Sequence, residues 1–528
     1  MRSLLVQRAL VGVTFGVAAF ASLAALGERS ARANGYEIPE NGTEVMGRAG
    51  AWTARADNPL AAAFNPAGLA GQPTAILVNS NLTWQSFCFE RSGTYASGGN
   101  NGGTVFQGQN YAGQPYPEVC KKNGIGDVNV VPQIAFNYHA SDKLGVSFAI
   151  VTPSSAGKSS WPDRVNLPSG DSAPAPQRYL LLEANGVVLS PTLAAGYEVA
   201  KGVRFGAAFQ ATMAFLNFSN VSHSLNSSAA DAAESPNGDL RADLKVKKLF
   251  TPAIILGALI SPTDSVDIGG MFRWSADIKA SSDVTTTGGY YGNGNGVKNT
   301  PVTSSGSGDF VAPQPWEVRL GVRYHPMRKD AKVVSNMGRR DFLASDAFDL
   351  ELDGTYAHNK SFDTLTITFP AGQCVALPGN GCPNFLPPDA SVPHGWRDSV
   401  GVRLGGEYVA VPDRLGIRAG AFYQNNGQDP KYAAIDFLPS SMFGLYLGAT
   451  LRLSKTVDLA GGFGHIFLHG LNNNGEGGVY GITAVQRPDP GVCPAGASPP
   501  DYRTCVPVNG GKVTGGYNML SIGATFHL

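Results

Sequence analysis

Strict alternation of apolar and polar side chains, repeated in about fourteen segments of roughly ten residues or more, restricts this chain more than any other feature. Successive side chains of a strand point to opposite faces, so each such segment carries one apolar face and one polar face. Val318, Leu320, Val322 and Tyr324 alternate with Glu317, Arg319, Gly321 and Arg323. Phe348, Leu350, Leu352 and Tyr356 alternate with Asp349, Glu351, Asp353 and Thr355. Val400, Val402, Leu404 and Tyr408 do the same with Ser399, Gly401, Arg403 and Glu407. The segments are 74–89, 127–139, 143–152, 178–198, 203–219, 248–260, 265–280, 311–325, 347–362, 395–409, 414–426, 439–453, 456–469 and 515–528.

A soluble sandwich would bury the apolar faces. A barrel in lipid would turn them outward and line its lumen with the charges. The connections decide between the two. Short ones (140–142, 199–202, 261–264, 410–413 and 454–455) alternate with long ones, up to 470–514. An even strand count with short turns at one end and long loops at the other is the pattern of bacterial outer-membrane barrels. The fold expected is all-β: a transmembrane antiparallel β-barrel of about fourteen strands with a polar lumen. One connection breaks the rule, because 326–346 is long and basic where a short turn is due. The last strand places Leu520, Ile522, Ala524, Phe526 and Leu528 on one face, as a closing barrel strand requires.

The chain before the strands divides in two. Arg2 and Arg8 precede an apolar run from Ala9 to Leu26, and Ala31, Arg32 and Ala33 form a small-x-small cleavage site. This is the layout of a secretory signal peptide over 1–33. Beyond Leu26 no apolar run is long enough to span a bilayer as a helix of ~20 residues. Residues 34–73 are rich in Ala and Gly, lack alternation and contain Asn65, Pro66 and Ala67. They read as an N-terminal hatch plugging the lumen, with 74–528 as the barrel. Arg48, Arg55 and Asp57 then need partners among lumen charges such as Glu317, Asp349, Glu351, Arg403 and Glu407, since buried charge must be paired.

The 40 basic and 40 acidic residues balance, which gives no reason to expect a nucleic-acid partner. Six cysteines in an exported chain read as disulfides, with Cys88 and Cys120, Cys374 and Cys382, and Cys493 and Cys505 as the sequence-adjacent pairs among the possible connectivities. No Cys-x-x-Cys spacing points to a metal. Gly157, Lys158 and Ser159 look like the end of a phosphate loop, yet Thr152 stands where the first glycine is needed. His465 and His469 share a strand face without an evident third ligand, and no Gly-x-Ser-x-Gly elbow occurs. The expectation is a non-enzyme with no cofactor and no metal.

Several stretches in order resemble the outer-membrane long-chain fatty-acid transporter family, the FadL/TodX/OMPP1 type. They are Gly47-Arg48-Ala49, Ala56-Asp57 and Asn65-Pro66-Ala67 at the opening, then Val131-Pro132 and Asp142-Lys143-Leu144-Gly145. Pro315-Trp316-Glu317-Val318, Trp396-Arg397-Asp398-Ser399, Arg403-Leu404-Gly405-Gly406-Glu407-Tyr408, Arg414-Leu415 and Arg418-Ala419-Gly420 continue the series. The resemblance covers nearly all of the chain after the signal. It departs at Leu528, where such barrels usually end in Phe, at the cysteine pairs, and at 326–346.

The resemblance implies a passive channel for hydrophobic compounds, long-chain fatty acids first, with aromatic hydrocarbons as the alternative inside the family. An outer-membrane lipid hydrolase is the alternative outside it. It implies gating at the hatch (Gly47, Arg48, Asp57, Asn65, Pro66 and Ala67) and a lateral opening from a kink in the third strand at Val151, Thr152 and Pro153, running into Gly157 and Lys158. Proline lacks the N–H a ladder needs, so Pro153 marks an interruption independently. Lumen arginines Arg319, Arg323, Arg403 and Arg418 are candidates for a carboxylate head group, since the guanidinium fork suits it; each has a salt-bridge role as the alternative. Residues 221–245, partly Ala-rich, read as an outward loop with helical stretches. The expected partners are outer-membrane lipid and lipopolysaccharide, a hydrophobic small molecule such as a fatty acid, and the barrel-assembly machinery. The expected state is a monomer in the outer membrane of a Gram-negative bacterium.

Overall fold

Fourteen antiparallel strands close on themselves. The computed structural model describes residues 41–472 and 511–528, apart from 93, 96–105, 108–109, 112–113, 123–126, 153–158, 224–238, 292–301, 332–340, 363, 369–373, 378–380, 386–388, 394, 426, 428–434 and 436–439. The strands are β1 Ala75–Arg91, β2 Asn129–Ser141, β3 Leu144–Val151, β4 Glu183–Ala200, β5 Val203–His223 and β6 Asp239–Thr263. Four strands come in two pieces: β7 is Val266–Ser275 with Ile278–Gly288, and β8 is Val302–Ala312 with Glu317–Tyr324. Likewise β9 is Phe348–Ala357 with Thr364–Thr368, and β10 is Asp389–Pro393 with Ser399–Val411. The wall ends with β11 Leu415–Gln424, β12 Met442–Ser454, β13 Val457–Leu468 and β14 Gly511–His527.

Closure is made by β1, which pairs with β14 from Ala75↔His527 to Arg91↔Gly511 and with β2 from Ala75↔Asn137 to Thr83↔Asn129. The wall thus has no free edge along β1, which is what lets a sheet stand in lipid. Exposure follows the alternation. Leu320 is 62% exposed and Leu447 64%, whereas Glu351 is fully buried and Arg418 is 1% exposed. A soluble fold would show the reverse. Apolar residues such as Val130, Phe209, Tyr408 and Ile522 form the outer surface, and the charges face inward.

One expectation changes. Several strands run further outward than expected: β6 begins at Asp239, where Leu240, Ala242, Leu244 and Val246 still alternate with charged residues, and β8 begins at Val302, where Ser, Thr and Gly carry the hydrogen-bonded ladder without an apolar face. At the ends of 221–245 that are described, Val221 to His223 pair with Arg241 to Asp239 as strand, and the Ala-rich stretch expected to be helical lies outside the described residues. The Cys88–Cys120 disulfide joins directly opposed residues of β1 and the Val119–Cys120 segment. The side chains of Cys374 and Cys382, and Cys493 and Cys505 altogether, lie outside the described residues.

Candidate functional site

Inside the barrel, residues 41–72 fold into short pieces that fill the lower lumen. They are α1 Thr43–Met46, α2 Ala61–Phe64 and a 3-10 turn Pro66–Leu69. Such pieces leave many backbone N–H groups without intrahelical partners, and the barrel supplies acceptors. Asp353 Oδ2 accepts from the N–H groups of Trp52 and Thr53, both at 3.0 Å, and Glu351 Oε1 accepts from Ala54 at 2.6 Å. Asp349, Glu351 and Asp353 lie two residues apart on β9, so strand geometry alone aims all three into the lumen.

Charge pairing completes the dock. Arg48 reaches both Asp349 and Glu351, the latter at 3.1 Å. Arg55 Nη1 sits 3.2 Å from Asp349 and 2.7 Å from Glu407. Arg323 pairs with Asp349 at 2.9 Å and Arg418 with Glu407 at 3.1 Å. Two of the four head-group candidates, Arg323 and Arg418, are therefore held by buried carboxylates. Arg319 pairs with Glu317 at 3.3 Å. Arg403 donates to the Ala49 carbonyl at 3.4 Å and lies 5.6 Å from the Phe422 ring centroid.

Asn65 is an anchor. Its side-chain oxygen accepts from Ala67 N–H and caps the 3-10 turn, while Nδ2 donates to Thr53 O at 2.7 Å and to Ala258 O of β6 at 3.0 Å. The backbone around Pro66 and Ala67 lies directly on β5: a Cβ at Gly206 would stand 2.2 Å from the Pro66 carbonyl carbon. Gly420 meets Arg48 in the same way, its would-be Cβ 2.3 Å from the Arg48 carbonyl carbon. Glycine at these positions is what permits backbone-to-backbone approach. Asp57 pairs with Arg55 at 2.9 Å, and Gly47 packs against Arg418 and Gly448.

Above the hatch the lumen changes character. Met46 and Ala49 of the hatch, Phe87 of β1, Phe422 of β11, Tyr446 of β12, Ile466 of β13 and Met519 of β14 belong to one apolar cluster, which Trp161, Leu180 and Leu181 cover from the outward loops. The expectation of a polar lumen holds only below this level. A readable sign was present: on β1 the apolar phase moves from the even positions of Ile76, Val78, Leu82 and Trp84 to the odd positions of Phe87 and Phe89.

Beside this cluster the pairing of the wall is interrupted among the described residues. β3 ends at Val151, and Ser159–Ser160 resumes the pairing opposite Ala184 and Glu183 of β4. Residues 185–189 of β4 pair with β5 and, among the described residues, with nothing on the β3 side. On β2, pairing with β3 begins only at Ile134. The described start of the hatch sits at this break: Asn41 exchanges hydrogen bonds with the backbone of Thr152 (2.8 and 3.3 Å), and Gly42 N–H donates to Gln133 of β2. Pro153, Gly157 and Lys158 lie outside the described residues.

At the outward rim, Asp398 accepts from the Tyr356 hydroxyl at 2.8 Å and from Lys360 N–H at 3.2 Å, and it lies 2.9 Å from His358. Burial alone would raise the Asp398 carboxyl, but the hydrogen bonds from Tyr356, Lys360 and His358 hold it below its usual value. Of the two histidines weighed for a metal, His465 hydrogen-bonds Asn518 at 2.7 Å.

Comparison with known proteins agrees with this architecture. The family described as outer membrane protein transport protein (OMPP1/FadL/TodX) matches residues 24–477. None of the curated proteins matches the chain. Among solved structures it is similar to a Pseudomonas aeruginosa FadL homologue, with a TM-score of 0.64 and 17% identity over 94% of this chain and 100% of that one. It is also similar to the P. putida toluene transporter TodX (TM-score 0.59, 12% identity, 93% of this chain and 99% of that one). A third is the Ralstonia pickettii toluene transporter TbuX (TM-score 0.57, 12% identity, with the same coverage of 93% and 99%). At such identities these structures speak for the fold, and the family match covers most of the sequence. The chain belongs to the OMPP1/FadL/TodX family of outer-membrane transport proteins.

Proposed function

We propose that this outer-membrane channel takes up long-chain fatty acids and releases them sideways through the break beside β3. The observation that carries this reading is the apolar upper lumen lying over an ion-paired, backbone-docked hatch. An apolar molecule gains by entering the first, at roughly 25 cal/mol per Å² removed from water, and gains nothing by crossing the second. Its exit is the wall, where 185–189 of β4 have no β3 partner among the described residues. In this reading Arg403 meets a carboxylate head group, since it stands where the hatch carbonyl of Ala49 adjoins the Phe422 ring. Arg323 and Arg418 then hold the hatch, residues 1–33 are a signal peptide, and a lipid A-rich leaflet surrounds the barrel.

Aromatic hydrocarbon uptake is the second reading, and the neighbours TodX and TbuX, described as toluene transporters, favour it. The lipid-hydrolase alternative gains no support from a family of transport proteins. Labelled oleate and toluene uptake by cells with and without the gene separates the readings. Loss of oleate uptake in the deletion supports the first and loss of toluene uptake alone the second. Equal uptake of both in the two strains removes both.

A further inference from the structure

The connection between β8 and β9 is long where its neighbours are tight, and its described residues, 326–331 and 341–346, fold back under the barrel. A short helix, α3 Phe342–Ser345, is capped at one end by Asp341, whose side chain accepts from Leu343 N–H. Arg328 binds its other end through the carbonyls of Leu343 and Ala344, at 3.2 and 2.8 Å. Phe342 and Leu343 are buried with Val409. The strap is tied to two further places on the base: Leu343 O accepts from Asp413 N–H at 2.8 Å, and Asp341 pairs at 2.5 Å with Arg452, which itself holds Asp413 and Asp458.

Its inward contact is with the hatch. The Phe342 ring centroid lies 4.4 Å from the Arg55 guanidinium carbon, which is also 4.7 Å from the ring centroid of Trp52. Arg55 thus contacts a hatch ring and a strap ring while its Nη1 binds Asp349 and Glu407. Beside the strap the underside of the hatch opens on a cavity of about 580 Å³ lined by Glu44, Arg55, Asp57, Arg452 and His527 among others. A hatch that moved toward the short-turn end would move into that space, and the strap stands in the way.

We propose that this connection is a retaining brace: Phe342 is a positioning residue that holds Arg55, and through it the hatch, against displacement into the basal cavity. Flat aromatic faces attract guanidinium groups, and more so away from water. The brace restrains the hatch whichever hydrophobic molecule is carried and wherever that molecule leaves, so the test needs no substrate.

Wild type, Phe342→Ala, Phe342→Leu and Phe342→Trp are purified and checked for the heat-shifted migration of an assembled barrel. Hydrogen exchange of hatch residues 48–56 and ion conductance across planar bilayers are then measured. Phe342→Ala is expected to exchange roughly tenfold faster in the hatch, with unchanged barrel strands, and to give more frequent conducting openings. Phe342→Leu keeps apolar bulk without a ring and is expected to follow Ala; Phe342→Trp restores the ring and is expected to follow wild type. Wild-type behaviour of Phe342→Leu overturns the proposal, as does a fully assembled Phe342→Ala with wild-type exchange and conductance. Should Phe342→Ala fail to assemble, Arg452→Gln cuts the strap's tether at Asp341, next to Phe342, and unchanged hatch exchange in that variant overturns the proposal equally.

Discussion

Arg55 and Glu407 are 352 residues apart in the chain and 2.7 Å apart in the fold. One belongs to the hatch and the other to β10, and both are buried. The pair shows how a plug with little regular structure of its own is held. It carries N–H groups without intrahelical partners and guanidinium charges into a lumen where Asp349, Glu351, Asp353 and Glu407 face inward. Removing one partner of such a pair leaves the other charged and dry, at about 3–5 kcal/mol.

Glu351 is where this cost is concentrated, because it accepts from Ala54 and Arg55 N–H and from Arg48. Glu351→Gln is expected to weaken hatch docking by roughly 3 kcal/mol while β9 keeps its pairing. Hydrogen exchange should show protection falling in residues 48–55 alone. Loss spread evenly over the barrel would mean that the carboxylate supports the wall instead.

Asn65→Ala removes a cap and two donations to carbonyls, about 1–3 kcal/mol of local stability. Because Ala258 O on β6 is one of those acceptors, the expected result is a hatch that dissociates from β6 and reduced uptake of the transported substrate. Uptake at wild-type level with normal hatch protection would count against any part for Asn65 in gating.

Gly206→Val tests the close approach from the wall side. The added Cβ has backbone atoms of Pro66 and Ala67 within 2.5 Å, so the hatch must shift. The expected outcome is an assembled barrel whose 3-10 turn becomes accessible to protease. An unchanged cleavage pattern in an assembled variant would show that the wall yields first.

The rim contact of Asp398 gives a pH dependence of known sign. Its folded pKa is depressed, so its contribution is present above the unfolded value near ~3.9 and is lost as pH falls through the folded value. Thermal melting of Asp398→Asn against wild type should differ at neutral pH and converge in acid. A difference that persists undiminished at the acid end would assign the effect to packing.

The Cys88–Cys120 bridge clips the first outward loop to β1. Cys120→Ser, or reduction of the native protein, is expected to free that loop for proteolysis, with about 3 kcal/mol of chain-entropy stabilisation lost. Barrel migration should be unaffected. Mass mapping that finds Cys88 as a free thiol in native protein would remove the premise.

What the alternation determined by itself is considerable. Fourteen strands, their inward and outward faces and the end bearing the short turns follow from a period of two and from connection lengths, and the plug from the absence of that period in the Ala- and Gly-rich 34–73, since all are local properties of the chain. The inward direction of Asp349, Glu351 and Arg418 follows as well. Pairings such as Arg55 with Glu407 do not, because they bring together residues hundreds of positions apart and depend on how the barrel closes. The apolar upper lumen shows in the sequence only as a change of phase near Phe87, easily taken for a strand end. The brace is beyond any periodicity. Phe342 sits in a connection without repeat or strand pattern, and only the closed base of the barrel, with Arg452 arriving from β12 and Asp413 from the β10–β11 turn, places its ring against Arg55.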